Sequence, residues 1–259
     1  MNQKKFAKEN TGTRMLDKNA PFAIREAFNL LRTNLMYTMT DDQKGCPVYA
    51  ITSISENAGK STVISNLALA FSNLDKKVLL VDGDMRCPAL YRFYDLDMRK
   101  PGLSELISGI ENDVIVKEIR PNLDLITSGR IPPNPSELIS SPRFLELLSG
   151  WRREYDIIFI DFPPVGIVAD SITISNEITG YLFAVRAGKS SAKAVNSAID
   201  SMEQIGAKIV GVVLNDYNIK GSKKYRYNHS RYFKQTMSRY EKSAMEHSAD
   251  HQTEGTEKE

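Results

Sequence analysis

Apolar side chains recur along the chain with two alternating periods, and this alternation predicts an α/β fold. Short β-branched runs predict strands over residues 48–53, 78–82, 123–127, 157–161, 181–185 and 209–214. Between them, apolar residues at helical spacing predict helices over about 60–74, 103–107, 142–153 and 192–205. Strands that alternate with helices form a mostly parallel sheet with helices on both faces.

The segments on either side of this core have a different character. Asn19 as N-cap, Pro21 in the first turn and apolar residues at helical spacing predict a further helix over about 20–38. After Tyr217 the apolar periodicity ends. We therefore divide the chain into a flexible arm (1–19), a helical segment and candidate oligomerisation element (20–45), a core domain (46–217) and a flexible tail (218–259).

Composition excludes several classes of protein. The net charge of +2 identifies no partner and gives no reason to expect a nucleic acid. All three histidines lie at or beyond residue 229, so the core must work without imidazole, which excludes Ser-His-Asp and Cys-His hydrolases and most zinc enzymes. Two distant cysteines indicate a reduced chain rather than a disulfide scaffold. With a polar N-terminus and no long apolar run, the expected location is cytoplasmic.

The segment ITSISENAGKST predicts a phosphate-binding loop. It follows a strand and opens a helix, so backbone N–H groups and the helix N-terminus can face an anion. Lys60 can reach the β- and γ-phosphates, and the Ser61 hydroxyl can ligate Mg²⁺. The loop differs from G-x-x-x-x-G-K-[ST] in carrying Ile54 where the first glycine stands. The predicted nucleotide-binding residues are Asn57, Ala58, Gly59, Lys60, Ser61 and Thr62.

Aspartates end two of the predicted strands. Asp82 and Asp84 follow the run VLLV, and Asp161 follows IIFI and precedes two prolines. The carboxyl edge of an open α/β sheet is where ligands bind, so these carboxylates suit a Mg²⁺ ion and a proton acceptor. A helix N-cap and a surface acid remain the alternative for the first pair.

Several of these segments together resemble the bacterial tyrosine kinases of capsule and exopolysaccharide biosynthesis, of the stand-alone type. The resemblance covers about residues 20–215 and rests on EAFNLLRTNL, the phosphate loop, DGDMR, GRIPPNPSELI and DFPP. In the first of these, Glu26 and Arg32 match the family's oligomer-forming helix, whereas Asn29 replaces an arginine. A tyrosine-containing tail follows, as in the family.

The resemblance implies a P-loop NTPase fold of the MinD/ParA type, ATP and Mg²⁺ as cofactors, and tyrosine autophosphorylation. It implies that Lys60 holds the β- and γ-phosphates, that Ser61, Asp84 and Asp161 hold the metal, and that Asp82 accepts the proton of the tyrosine. An adenine contact for Asn215 and a role in a turn are equally open. The candidate acceptors are Tyr225, Tyr227, Tyr232 and Tyr240.

The resemblance also implies partners. We expect a membrane adaptor that recruits and activates the kinase at the inner face of the membrane, a homo-oligomer of the unphosphorylated chain, and a cognate tyrosine phosphatase. Residues 220–242 carry eight basic side chains against Glu241, and without a kinase-like core such a tail would suggest a polyanion-binding protein.

Two other functions remain open. One is a MinD/ParA-like regulatory ATPase, although such proteins usually carry a lysine at the position of Ser55. The other is an ATP-binding scaffold of the polysaccharide machinery.

Overall fold

We analysed a computed structural model of the chain, which describes residues 15–16, 20–39, 45–166 and 172–217. The chain divides into two units, Met1–Asp216 and Tyr217–Glu259, and the description that follows concerns the first. Among the helices in the described ranges, none combines the length and apolar character needed to cross a bilayer.

A seven-stranded sheet forms the centre of this unit. Its strands are β1 (Val48–Ser53), β2 (Val78–Asp82), β3 (Val116–Arg120), β4 (Leu123–Ile126), β5 (Ile157–Asp161), β6 (Gly180–Arg186) and β7 (Ile209–Asn215). They lie in the order β3-β4-β2-β5-β1-β6-β7, and every pairing is parallel except the antiparallel β3–β4 pair. The prediction of a mostly parallel sheet is confirmed.

Helices cover both faces of the sheet, as predicted. They are α1 (Phe22–Tyr37), α2 (Lys60–Ser72), α3 (Leu90–Phe93), α4 (Leu103–Ile107), α5 (Pro135–Ile139), α6 (Pro142–Glu154) and α7 (Ala192–Gln204), with a 3-10 turn at Ser175–Glu177. Residues such as Leu67 and Phe71 of α2 form one core layer, on the side of α1. Phe144 and Trp151 of α6 belong to the other layer, on the side of α4 and α7.

The structure corrects the predicted elements in three places. Helix α1 begins at Phe22, because Pro21 has an extended backbone (ψ 137°), and Asn19, the predicted cap, lies outside the described residues. The antiparallel strand β3 was not predicted because it lies at the sheet edge and is largely exposed. The short helices α3 and α5 were not predicted, whereas the equally short α4 was.

Helix α1 lies within the candidate oligomerisation element, residues 20–45. The Arg32 guanidinium donates a hydrogen bond to the Ala70 carbonyl of α2 at 3.0 Å, and the Asn29 amide donates one to Glu26 at 2.9 Å. Arg32 therefore contacts α2 of the same chain. The role of residues 20–45 in oligomerisation stays a prediction.

Candidate functional site

The loop between β1 and α2 has the conformation of a tight anion-binding turn. Asn57 and Gly59 both adopt positive φ values, 57° and 88°. A Cβ atom on Gly59 would lie 1.9 Å from Nδ2 of Asn215, so this position requires glycine. The Asn215 side chain also donates a hydrogen bond to the Ala58 carbonyl at 3.0 Å, so the end of β7 holds the loop.

The first turn of α2 faces the same space as this loop. No side chain caps the helix at Gly59, so its first N–H groups are oriented as at an anion site. Lys60, Ser61 and Thr62 line the adjoining cavity, and Lys60 is buried. A buried lysine beside a helix N-terminus favours a strongly anionic ligand.

Two aspartates lie side by side at the carboxyl ends of β2 and β5. Asp82 pairs with Asp161 in the sheet register, and both are buried. Burial raises the pKa of Asp161 to about 6, against the opposing effects of Lys60 and of the Ser61 hydroxyl, which donates a hydrogen bond to Oδ2. The Oδ1 atom of Asp161 is buried and has no hydrogen-bond partner among the described residues.

Asp82 and Asp84 differ in their surroundings. Asp82 is fully buried, and its Oδ2 accepts hydrogen bonds from the N–H groups of Ala89 and Leu90 at 3.2 and 3.0 Å. Burial and the neighbouring Asp161 raise its pKa well above the ordinary value. Asp84 accepts a hydrogen bond from the Cys87 N–H at 2.9 Å and lines the cavity.

A cavity of about 820 Å³ lies along the carboxyl ends of the strands. This volume is within the ~300–1,000 Å³ typical of ligand sites. Its walls include seven predicted site residues, Asn57, Gly59, Lys60, Ser61, Thr62, Asp84 and Asn215. Three others, Ala58, Asp82 and Asp161, are buried and are not among the lining residues. The predicted acceptors Tyr225, Tyr227, Tyr232 and Tyr240 fall outside the described residues.

Further residues that the sequence reasoning did not select also line the cavity. Arg186 ends β6 and forms an ion pair with Asp216 at 2.9 Å. Both lie at the carboxyl edge of the sheet, so the rule that led to Asp82 and Asp161 would also have found them. Phe93, Met98 and Ile131 lie in connections after β2 and β4; Ile131 belongs to the GRIPPNPSELI segment, but no local pattern assigns any of the three to a site.

Oxygen atoms near the phosphate loop suit a divalent cation. Ser61, Asp84 and Asp161 supply hydroxyl and carboxylate oxygens, which Mg²⁺ prefers, and the unpartnered Oδ1 of Asp161 is a buried acceptor that a cation would satisfy. In the described ranges, no three His, Cys, Asp or Glu side chains group as a metal site. That arrangement matches an ion bound by one or two carboxylates together with the phosphates of a nucleotide.

Comparison with known proteins adds family relationships to this geometry. The family model CbiA, described as the CobQ/CobB/MinD/ParA nucleotide binding domain, matches residues 49–242. The tyrosine-protein kinase CpsD of Streptococcus agalactiae serotype III is 33% identical over 195 residues, which cover 74% of this chain and 82% of that protein.

Two solved structures show the same fold relationship. The kinase domain of the Escherichia coli tyrosine kinase ETK superposes with a TM-score of 0.72 at 32% identity, covering 82% of this chain and 86% of that one. The chimerical protein CapA2B2 gives a TM-score of 0.70 at 36% identity, covering 77% and 86%.

Proposed function

Because the chain belongs to the bacterial tyrosine-protein kinases, within the CobQ/CobB/MinD/ParA nucleotide-binding family, we propose that it is an ATP- and Mg²⁺-dependent kinase that phosphorylates tyrosines of its own C-terminal tail. The candidate acceptors are Tyr225, Tyr227, Tyr232 and Tyr240. One observation carries the proposal: the phosphate loop and Asp84 line one cavity, and Ser61 of that lining donates a hydrogen bond to Asp161, whose buried Oδ1 has no partner among the described residues.

Phosphoryl transfer depends mainly on positioning and on charge neutralisation, and the site has residues for both. Lys60 and the N–H groups of the first α2 turn bind the β- and γ-phosphates, and Asn215 keeps the loop in place through Ala58. Ser61, Asp84 and Asp161 hold Mg²⁺, which supplies positive charge to the phosphate oxygens when bound. The hydrogen bond from Ser61 orients Asp161 for that task.

The proton of the acceptor tyrosine requires a carboxylate. By the family resemblance we assign this role to Asp82, whose raised pKa suits a group that takes up a proton. Asp82 also holds the segment after β2 through Ala89 and Leu90, and it is fully buried, whereas Asp84 lines the cavity. The acceptor hydroxyl must therefore reach the buried Asp82, or transfer its proton to Asp84.

The biological role follows from the resemblance. We propose that the kinase regulates capsular or exopolysaccharide synthesis and export. A membrane adaptor recruits it to the inner face of the membrane, it assembles as a homo-oligomer when unphosphorylated, and a tyrosine phosphatase resets it.

Incubation of the full chain with γ-labelled ATP and Mg²⁺, with and without an adaptor fragment, tests this function. Phosphate should appear on tail tyrosines, and phosphopeptide mapping should assign it to the four candidates. The matched control replaces those four tyrosines with phenylalanine, which should remove the label but retain nucleotide binding. Release of free phosphate without phosphotyrosine would favour a MinD/ParA-like ATPase, and ATP binding without either product would favour a scaffold.

A further inference from the structure

The cavity has two chemically different walls, which the strand order sets apart. At one side, where β6 and β7 end, it is lined by Arg186, Asn215 and Asp216. At the other side, beyond β2 and β4, it is lined by Phe93, Met98 and Ile131 with Pro88 and Ala89, and also by Arg86, Cys87 and Arg92; we call these eight residues the β2–β4 wall and the first five its apolar part. Strands β5 and β1, whose ends carry Asp161 and the phosphate loop, lie between the two sides.

If the proposed function is correct, this order of the strands determines the direction in which the phosphoryl group is transferred. Lys60 and Ser61 mark the phosphate position in the middle of the cavity, and Asp84, which follows β2, marks the side on which the terminal phosphate lies. In-line transfer requires the attacking and leaving oxygens on opposite sides of phosphorus. The nucleoside then extends towards the polar β6–β7 side, and the acceptor approaches from the β2–β4 wall.

Two apolar side chains of this wall are exposed. Met98 is 47% exposed and Ile131 is 62% exposed, although both border a cavity with charged residues at its centre. The two arginines of this wall contact other side chains: the Arg92 Nε donates to the Tyr91 hydroxyl at 2.7 Å, and the Arg86 guanidinium donates to the Ser136 hydroxyl at 3.1 Å. The apolar side chains therefore offer contact area to a ligand that brings its own apolar surface.

We propose that Met98 and Ile131, supported by Phe93, form the subsite that binds the aromatic ring of the acceptor tyrosine. This inference rests on the proposed function and names the acceptor end of the same site. A phenol ring gains contact with the wall, including a sulfur–aromatic contact with Met98, and reaches past it to the phosphate centre. Serine and threonine have neither the ring nor the reach, so the wall selects tyrosine.

Peptide binding tests the subsite without requiring turnover. A fluorescent peptide of residues 220–230, containing Tyr225 and Tyr227, is titrated with the full chain in the presence of Mg²⁺ and a non-hydrolysable ATP analogue. The Met98→Gln/Ile131→Thr double variant should bind it at least about fivefold more weakly, because apolar contact area is lost. A Tyr225→Ser/Tyr227→Ser peptide should bind weakly and equally to both proteins.

Matched variants make the result specific. Ile110→Thr alters an isoleucine that is 76% exposed and does not line the cavity, so it should bind the tyrosine peptide like the parent protein. Met98→Leu/Ile131→Val should restore most of the affinity, and the analogue should bind all variants equally. An unchanged affinity of the double variant for the tyrosine peptide, or equal affinity of the parent protein for both peptides, would overturn the subsite.

Cys87 provides a second readout at the same wall. It is exposed and lines the cavity, whereas burial raises the pKa of Cys46, the chain's other cysteine, to about 12 and so keeps its thiol unreactive. Iodoacetamide alkylates a thiolate with loss of iodide, so the tyrosine peptide should slow alkylation of Cys87 and the serine peptide should not. Equal rates with both peptides would contradict the subsite.

These outcomes separate the two proposals. Absence of phosphotyrosine in the parent protein, with and without the adaptor fragment, contradicts the kinase function whatever the peptide affinities are. Unchanged peptide affinity in the double variant contradicts the subsite whether or not phosphotyrosine forms.

Discussion

Two clusters in this fold bury aspartates, and they differ in how completely the carboxylates are hydrogen-bonded. In the edge cluster, formed by Asp124, Lys117 and Tyr155, Asp124 accepts hydrogen bonds from the Glu118 N–H and the Tyr155 hydroxyl, each at 2.7 Å, and pairs with Lys117 at 3.1 Å. In the active-site cluster, formed by Lys60, Ser61, Asp82 and Asp161, one carboxylate oxygen of Asp161 has no partner among the described residues.

The pKa values of the aspartates also differ between the two clusters, in line with their hydrogen bonds. Burial acts to raise the pKa of Asp124, but the hydrogen bonds from Glu118, Tyr155 and Lys117 lower it below its usual value. Burial raises the pKa of both Asp82 and Asp161, and their partners do not compensate. A buried acid with all its partners stabilises a fold, whereas one that lacks them indicates a missing ligand. We therefore interpret the edge cluster as structural and propose that the active-site cluster is functional.

Substitution of the lysines in the two clusters should give the largest difference in activity. Lys60→Met should reduce phosphotyrosine formation at least about 100-fold, because the charge that binds the transferred phosphoryl group is lost. Lys117→Met should leave activity unchanged and cost at most about 1 kcal/mol of stability, since its side chain is half exposed. Anti-phosphotyrosine blots and urea denaturation measure the two effects. Activity retained by Lys60→Met would show that the loop is misassigned.

Substitutions of Asp82 and Asp84 should distinguish a role in proton transfer from a role in metal binding. Asp82→Asn should lower the rate of transfer about 100-fold, as expected for loss of a general base, with little change in affinity for ATP. Asp84→Asn should weaken both, because it removes a proposed ligand of Mg²⁺. Transfer rates and ATP titrations with Mg²⁺ measure these effects. If ATP affinity is lost with Asp82→Asn, then Asp82 is a metal ligand and the base lies elsewhere.

The sheet and the central residues of the site could be predicted from the sequence because their signals are local. The phosphate loop and the strand-ending aspartates follow directly from short motifs, and the sheet order then brings Asp82 beside Asp161. The burial of Lys60, the hydrogen bonds of Asp82 to α3 and the β2–β4 wall depend on long-range packing. No local pattern assigns Met98 or Ile131 to a site; they are 33 residues apart, and the fold brings both to the lining of the same cavity.

The aspartates of the two clusters should change stability in opposite directions. The folded pKa of Asp161, about 6, lies above its ordinary value of 3.8, so ionised Asp161 costs about 2–3 kcal/mol at pH 7 without ligand. Asp161→Asn should recover part of this cost and raise the melting temperature while abolishing phosphotyrosine. Asp124→Asn should keep activity and lose about 1–2 kcal/mol. Thermal denaturation without nucleotide or Mg²⁺ measures both.

The pH dependence of these differences follows from the same pKa shifts. The gain in stability from Asp161→Asn should be present at pH 7 and should shrink as the pH falls through about 6, because Asp161 of the parent protein is then protonated. The loss in stability from Asp124→Asn should be present above the ordinary pKa of an aspartate. It should disappear only at lower pH, as the pH falls through the depressed pKa of Asp124 in the folded protein. Two differences of the same sign would contradict the functional contrast between the clusters.

The smallest expected effect is that of tail phosphorylation on assembly. The charges of the tail lie outside both clusters. Residues 220–242 carry a net charge of +7, and each phosphotyrosine adds about −1.5 to −2 charges. Phosphorylation of all four candidate tyrosines would therefore roughly cancel or reverse the charge of the segment. A basic segment can hold an acidic neighbouring surface and a neutral one cannot, so phosphorylation should loosen the oligomer or its adaptor complex, and phosphatase treatment should restore it.

Salt distinguishes this electrostatic effect from the effects of the buried clusters. Each charge contributes little and is screened at physiological ionic strength, so several tyrosines are needed and the effect should weaken as salt rises. Light scattering before and after autophosphorylation, at low and high salt, measures the size of the assembly. The control is the chain with phenylalanine at positions 225, 227, 232 and 240, whose assembly should not respond to ATP. An unchanged assembly of the parent chain in both salts would mean that the tail only accepts phosphate and does not regulate assembly.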